Sequence, residues 1–192
     1  MSGVQAAGGE LVYEDRLPLA WRPLTPDPGP LDLARLWDAA LARLNGALTV
    51  GEVAPGEPLE EGHPRAQDLA RLEARLNLVL AVVGELLAVH RPPPPARVVR
   101  LSGQWAEWAD PDPPAPGDAL LLALYLNPIV PDAVALPARV ERVAEEPGGE
   151  ARVRASFGAM PAPLRNALEK LIFRHHRRQV AEQRKALPGH GG

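Results

Sequence analysis

The sequence predicts a β-rich α+β fold: a six-stranded antiparallel β-barrel with a C-terminal helix and a pair of helices inserted after the first strand. Three observations carry this reading. Short stretches with apolar residues at alternate positions recur at 11–24 and between 97 and 157, separated by turns rich in Pro and Gly. From Leu69 to Leu86 the large apolar residues fall three and four apart instead. After Pro161 and Pro163 helical spacing returns. The 192 residues fit one domain, with the barrel at 10–24 and 96–158, the last helix at 161–187 and the helical insertion at 31–90.

Residues 1–9 are small and polar, a loose start. Leu11, Tyr13, Leu17, Leu19 and Trp21 alternate along the first strand, with Pro18 at an edge or bulge because it cannot donate to a ladder. The Pro- and Asp-rich run 25–30 breaks that strand. Leu33, Leu36, Trp37, Ala40, Leu41, Leu44 and Leu48 then line one face of a helix over four turns. This helix is expected to cover one flank of the next. An acidic linker rich in Gly and Pro, 49–62, lets the two fold back on each other.

Pro64 opens a long helix, and the prolines at 92–95 stop it after His90. About 25 helical residues span roughly 37 Å. Leu69, Leu72, Leu76, Val79, Val83 and Leu86 form a coiled-coil seam, and these six are the expected oligomerisation residues. Leu80, Leu87, Val82 and Val89 widen the apolar surface beyond what two helices cover. A parallel in-register pair would also set Asp68 against Glu73, so an antiparallel or higher-order bundle is expected. The competing reading places this helix in the monomer's own core. Because Pro-rich segments bound 31–90, the barrel is expected to survive its removal.

Strands follow at 97–102, 104–109, 118–126, 134–143 and 151–157. Gly103 and the turn-like run 110–117 separate the first three, and Pro147, Gly148 and Gly149 signal a hairpin between the last two. Trp105 and Trp108 stand an odd number of residues apart, which puts them on opposite faces of one strand. In the last helix Leu164, Leu168, Leu171, Ile172 and Val180 face inward, while Arg174, Arg177, Arg178, Arg184 and Lys185 make it basic.

Charge is nearly balanced, with 21 Lys and Arg against 24 Asp and Glu, so no global field selects nucleic acid or a membrane surface. The absence of Cys removes thiolate chemistry, disulfides and cysteine metal sites. Residues 1–10 do not read as a secretory signal, and the apolar run 76–89 is too short to span a bilayer. The expected location is cytoplasmic. His175 and His176 point about 100 degrees apart on a helix and do not chelate one ion, so no metal site is assigned. Ser102 lacks both a Gly-x-Ser-x-Gly elbow and a His partner, and no Gly-rich loop is followed by Lys and Ser or Thr. The chain does not read as an enzyme.

The order of elements, with GDALLLALYL after a Pro-rich turn, then ARVERV, a Gly-Gly hairpin and ARVRASFG before a last helix, resembles the PilZ domain family. The likeness covers residues 11–24 and 97–187. The long heptad helix after the first strand resembles an atypical subgroup that forms tetramers, which implies a homo-oligomer, most simply a tetramer. The family implies cyclic di-GMP binding through two motifs. At the Arg-x-x-x-Arg motif Arg16 takes the second arginine position, but Val12 stands at the first, with Glu14 and Asp15 between. At Asp/Asn-x-Ser-x-x-Gly, Ser102 is kept, but Arg100 replaces the acceptor and Trp105 the glycine. The expectation is therefore a signalling adaptor that works through an unidentified protein partner and needs no cofactor. The alternative is a cyclic di-GMP receptor with a rearranged site around Arg16, Arg100 and Ser102.

Overall fold

The computed structural model describes residues 11–50, 64–90, 92–126, 132–146 and 149–186. Six antiparallel strands close a barrel: β1 (Tyr13–Pro23), β2 (Ala96–Leu101), β3 (Trp105–Asp110), β4 (Ala119–Leu124), β5 (Val134–Glu145) and β6 (Ala151–Ser156). Around the barrel their order is β1-β2-β3-β6-β5-β4. The closed six-stranded barrel is the one expected from the period-two segments.

β1 closes the ring by changing neighbours midway. Tyr13 to Pro18 pair with β2, and Leu19 to Pro23 pair with β4. Pro18 sits at the changeover, where a missing N–H interrupts neither ladder. Its carbonyl accepts the Tyr125 N–H at 3.2 Å, and the Leu19 N–H donates to Pro95. Inward residues of all six strands, including Tyr13, Leu19, Leu101, Trp108, Leu120, Leu122, Leu136 and Val153, fill one core. The β5–β6 turn is tightened by Gly149 at φ +88° and by a 3.0 Å bond from the Glu146 N–H to the Glu150 carbonyl. Pro147 and Gly148 of that expected hairpin lie outside the described residues.

Inside one end of the barrel, the Asp110 carboxylate gathers several donors. The indole N–H groups of Trp21 and Trp108 reach it at 2.8 and 2.9 Å, and Arg97 pairs with it at 3.1 Å. A buried carboxylate is tolerable only when so satisfied. At the β2–β3 turn the Ser102 hydroxyl accepts the N–H groups of Gln104 and Trp105, both at 3.1 Å. Gly103 in that turn lets a helix side chain approach closely: a Cβ there would meet Glu169 at 2.7 Å.

Helix α3 (Ala162–Ala186) packs Leu164, Leu168, Leu171 and Ile172 into the core as expected. The side chains of Val180, Arg178, Arg184 and Lys185 lie outside the described residues. The His175 ring packs on Tyr13 with centroids 4.8 Å apart. The Tyr13 hydroxyl donates to Asp15, and burial together with that carboxylate pushes its pKa above the ordinary tyrosine range.

Helix α1 (Pro30–Val50) departs from expectation. Trp37, Ala40, Leu44 and Leu48 are buried in the same core as the strands, with Leu33 and Leu41 packed beside them. The helix lies on β5 and α3. Arg174 of α3 donates to the Leu48 carbonyl at 2.9 Å, satisfying an acceptor in the last turn of α1. Arg43 pairs with Asp132 at 2.9 Å. The first helix of the 31–90 stretch thus contributes Trp37, Ala40, Leu44 and Leu48 to the barrel's own core.

Helix α2 (Pro64–His90) is the opposite case. Leu72, Leu76, Val79, Val83 and Leu86 are 63, 59, 57, 44 and 58% exposed. Val82 and Val89 on the flank of this seam are exposed as well, as is Leu78 on the side away from it. The reading that buries this helix in the monomer does not hold for these side chains. Those of Leu69, Leu80 and Leu87 lie outside the described residues.

Candidate functional site

On the outer face of the barrel, cross-strand register lays charged side chains in a row. Glu14 of β1 stands opposite Arg100 of β2, which stands opposite Glu107 of β3. Glu107 is opposite Arg154 of β6, and Arg154 is opposite Arg142 of β5. The last two are like charges in direct register, ordinarily an unfavourable placement. A bulge between Val140 and Arg142 relieves it by adding Glu141, whose carboxylate pairs with Arg154 at 3.5 Å.

Glu107 is the centre of this row. Its side chain is only 3% exposed, and three guanidinium groups converge on it. Arg100 reaches one oxygen at 3.1 Å and Arg152 the same oxygen at 3.3 Å, while Arg142 approaches the other at 3.6 Å. Arg100 also pairs with Glu14 at 3.6 Å. Arg152 donates to Glu146, and that bond holds the Glu146 carboxyl below the usual carboxylate range. Beside the row lies Trp105, buried although it faces away from the core. The Arg154 guanidinium covers its ring at 4.0 Å, with Arg100 at 5.9 Å. Trp108, three residues on, is in the core as the odd spacing requires.

The residues expected to hold a nucleotide are placed as follows. Arg100 lies in the row with both carboxylate partners engaged. Arg16 is exposed on the same outer face, two residues along β1 from Glu14 and opposite Val98. Ser102 is fully buried, its oxygen occupied by the turn. Val12 is buried and offers no cation. Arg16 and Arg100 thus share a face, whereas Ser102 belongs to the turn. Glu107, Arg142, Arg152 and Arg154 were not singled out in the sequence. Glu107, Arg152 and Arg154 carry one signal, outward alternation on β3 and β6, while Arg142 follows a bulge on β5, and only the register shows that they meet. Among the described residues no group of His, Asp and Glu has the arrangement of a metal site. No helix there is long and apolar enough to cross a membrane.

A closed six-stranded barrel with a C-terminal helix is the architecture that the resemblance to PilZ domains implies. Comparison with known proteins makes this specific. The profile of the atypical PilZ domain, described as a cyclic di-GMP receptor, matches residues 44–185, and the chain belongs to that family. A crystal structure of a pathogenic protein from Xanthomonas campestris superposes with a TM-score of 0.71 at 28% identity, over 91% of this chain and 93% of its own. That protein is a tetrameric PilZ domain self-assembled through a helical bundle. The Bacillus subtilis inhibitor of motility gives a TM-score of 0.37 at 16% identity over 43% of this chain and 42% of its own. No curated protein matches the sequence.

Proposed function

We propose that the chain is a non-catalytic PilZ adaptor that assembles with copies of itself through α2 and has lost ordinary cyclic di-GMP binding. The observation that carries the reading is the exposed apolar stripe of Leu72, Leu76, Val79, Val83 and Leu86. A continuous stripe of this kind marks an interaction surface, since water is a poor neighbour for it. Leu69 continues the same spacing at the start of the seam. Exposed flanks at Val82 and Val89 favour more than two helices, and the helical-bundle tetramer of the Xanthomonas protein supports four copies. Multi-angle light scattering on the intact chain tests this: four chain masses are expected, and a monomer mass refutes it.

The loss of nucleotide binding rests on Arg100, whose guanidinium is shared between Glu14 and Glu107, and on Trp105 with Arg154 over it. A phosphate arriving at Arg100 meets two carboxylates already in place. The family's description as cyclic di-GMP receptors, with Arg16 exposed on this face, favours a second reading, a rearranged receptor site. Calorimetric titration separates the two. No saturable heat at micromolar ligand is expected; a dissociation constant of a few micromolar, about 7 kcal/mol, decides for the receptor. In that event Arg16→Ala weakens binding most. The adaptor works in the cytoplasm through a protein partner.

A further inference from the structure

We propose that Glu107 is a built-in anionic ligand: its tethered carboxylate fills a guanidinium cradle that otherwise takes a small oxyanion, and so keeps this face closed to external carboxylate and phosphate groups. The inference deepens the reading that this face no longer takes a nucleotide, and rests on it. Three arginines from three different strands converge on one carboxylate that solvent hardly reaches, Arg100 and Arg152 as hydrogen-bond donors and Arg142 as an ion pair at 3.6 Å. Arg100 comes from β2, Arg142 from β5 and Arg152 from β6, so the barrel wall itself fixes their separation. Arg154 stands in register opposite both Glu107 and Arg142 and adds a fourth guanidinium to the row, itself paired with Glu141. Guanidinium groups match carboxylate and phosphate oxygens alike. What selects Glu107 over a free anion is attachment: an intramolecular group acts at a high effective concentration.

The rim carboxylates do not substitute for it. Glu14, Glu141 and Glu146 each touch one arginine from the outside and are about a third to a half exposed, against 3% for Glu107. With Glu107 truncated, four arginines face three peripheral carboxylates, and a space of carboxylate size opens between them. That space has both the charge and the donors for acetate, formate or inorganic phosphate.

The test is thermal unfolding of Glu107→Ala in acetate, phosphate or chloride at equal ionic strength. The expected result is a midpoint that rises with acetate or phosphate by on the order of 3 °C or more above the chloride value. The wild type and Glu107→Leu, which fills the space with an apolar group, should show no such rise. An anion-independent Glu107→Ala protein overturns the proposal, as does an equal response in Glu107→Leu. If Glu107→Ala does not fold, Glu107→Ser leaves room for the anion and is read the same way. Cyclic di-GMP binding by the wild type refutes the adaptor reading, whereas a Glu107→Ala protein indifferent to anions refutes only the cradle.

Discussion

Helices α1 and α2 come from one continuous stretch, and each carries an apolar stripe over several turns, yet among the described residues the chain covers only that of α1. Trp37 and Leu44 of α1 are buried against strands and α3, whereas Leu76 and Val83 of α2 remain exposed. Spacing alone does not separate them, since Trp37, Ala40, Leu44 and Leu48 also step by three and four. In α1 the apolar positions include Trp37, with small Ala40 a turn later, which suits the curved wall of a barrel. In α2 Leu and Val alternate at three and four, the spacing that fits another helix of the same kind. An amphipathic pattern says that a face needs cover; which neighbour covers it is decided by the rest of the fold.

The largest effect that sharpens this contrast comes from deletion. Replacing 30–90 by a short linker should abolish cooperative unfolding, because it uncovers the core at Trp37, Leu44 and Leu48. Replacing only 51–91 should leave a cooperative barrel of monomer mass. Circular dichroism melts on the two proteins check this, and a stable barrel without α1 would break the comparison. Next in size is Leu76→Glu with Val83→Glu. Charges placed in a covered seam cost several kcal/mol each unless they neutralise, so light scattering should show monomers whose far-ultraviolet spectrum keeps its strand signal. If the mass is unchanged, α2 is not the assembly element.

Trp37→Ala should follow, with about 3–5 kcal/mol lost in denaturant unfolding. Comparison at equal protein concentration keeps association from entering the difference. Its assembled mass should not change, the converse of the seam variant. The smallest expected effect is that of Arg174→Ala. This removes the donor at the Leu48 carbonyl and should lower stability by about 1 kcal/mol, read as a small shift of the denaturant midpoint at unchanged slope.

The strands were legible because alternation is a local property: Tyr13, Leu17 and Leu19 are inward in the sequence pattern and inward in the barrel. The partner of α1 was not legible. A helical stripe at Trp37 and Leu44 is compatible with a neighbouring helix or with a sheet, and only the closed barrel decides. The arginine cradle was hidden for a related reason. Arg142, Arg152 and Glu107 are ordinary outward residues until pairing of β3 with β6 and of β6 with β5 brings them together. Ser102 shows the reverse limit: it stands at its motif position in the sequence, but its hydroxyl closes a turn.

The changeover of β1 at Pro18 has a further consequence, for how far the chain can wander before the barrel closes. Everything between Pro23 and Ala96 is one excursion between paired strands. Loop-closure entropy grows only with the logarithm of length, so an excursion of about 70 residues costs roughly 2.5 kcal/mol more than a four-residue turn. Docking of α1 on β5 divides even that excursion in two. The barrel therefore places almost no limit on how long α2 is. At 1.5 Å per residue, one added heptad would extend its reach by about 10 Å, leaving every strand pairing where it is. Reach and barrel stability are separate variables in this architecture, free to change one without the other.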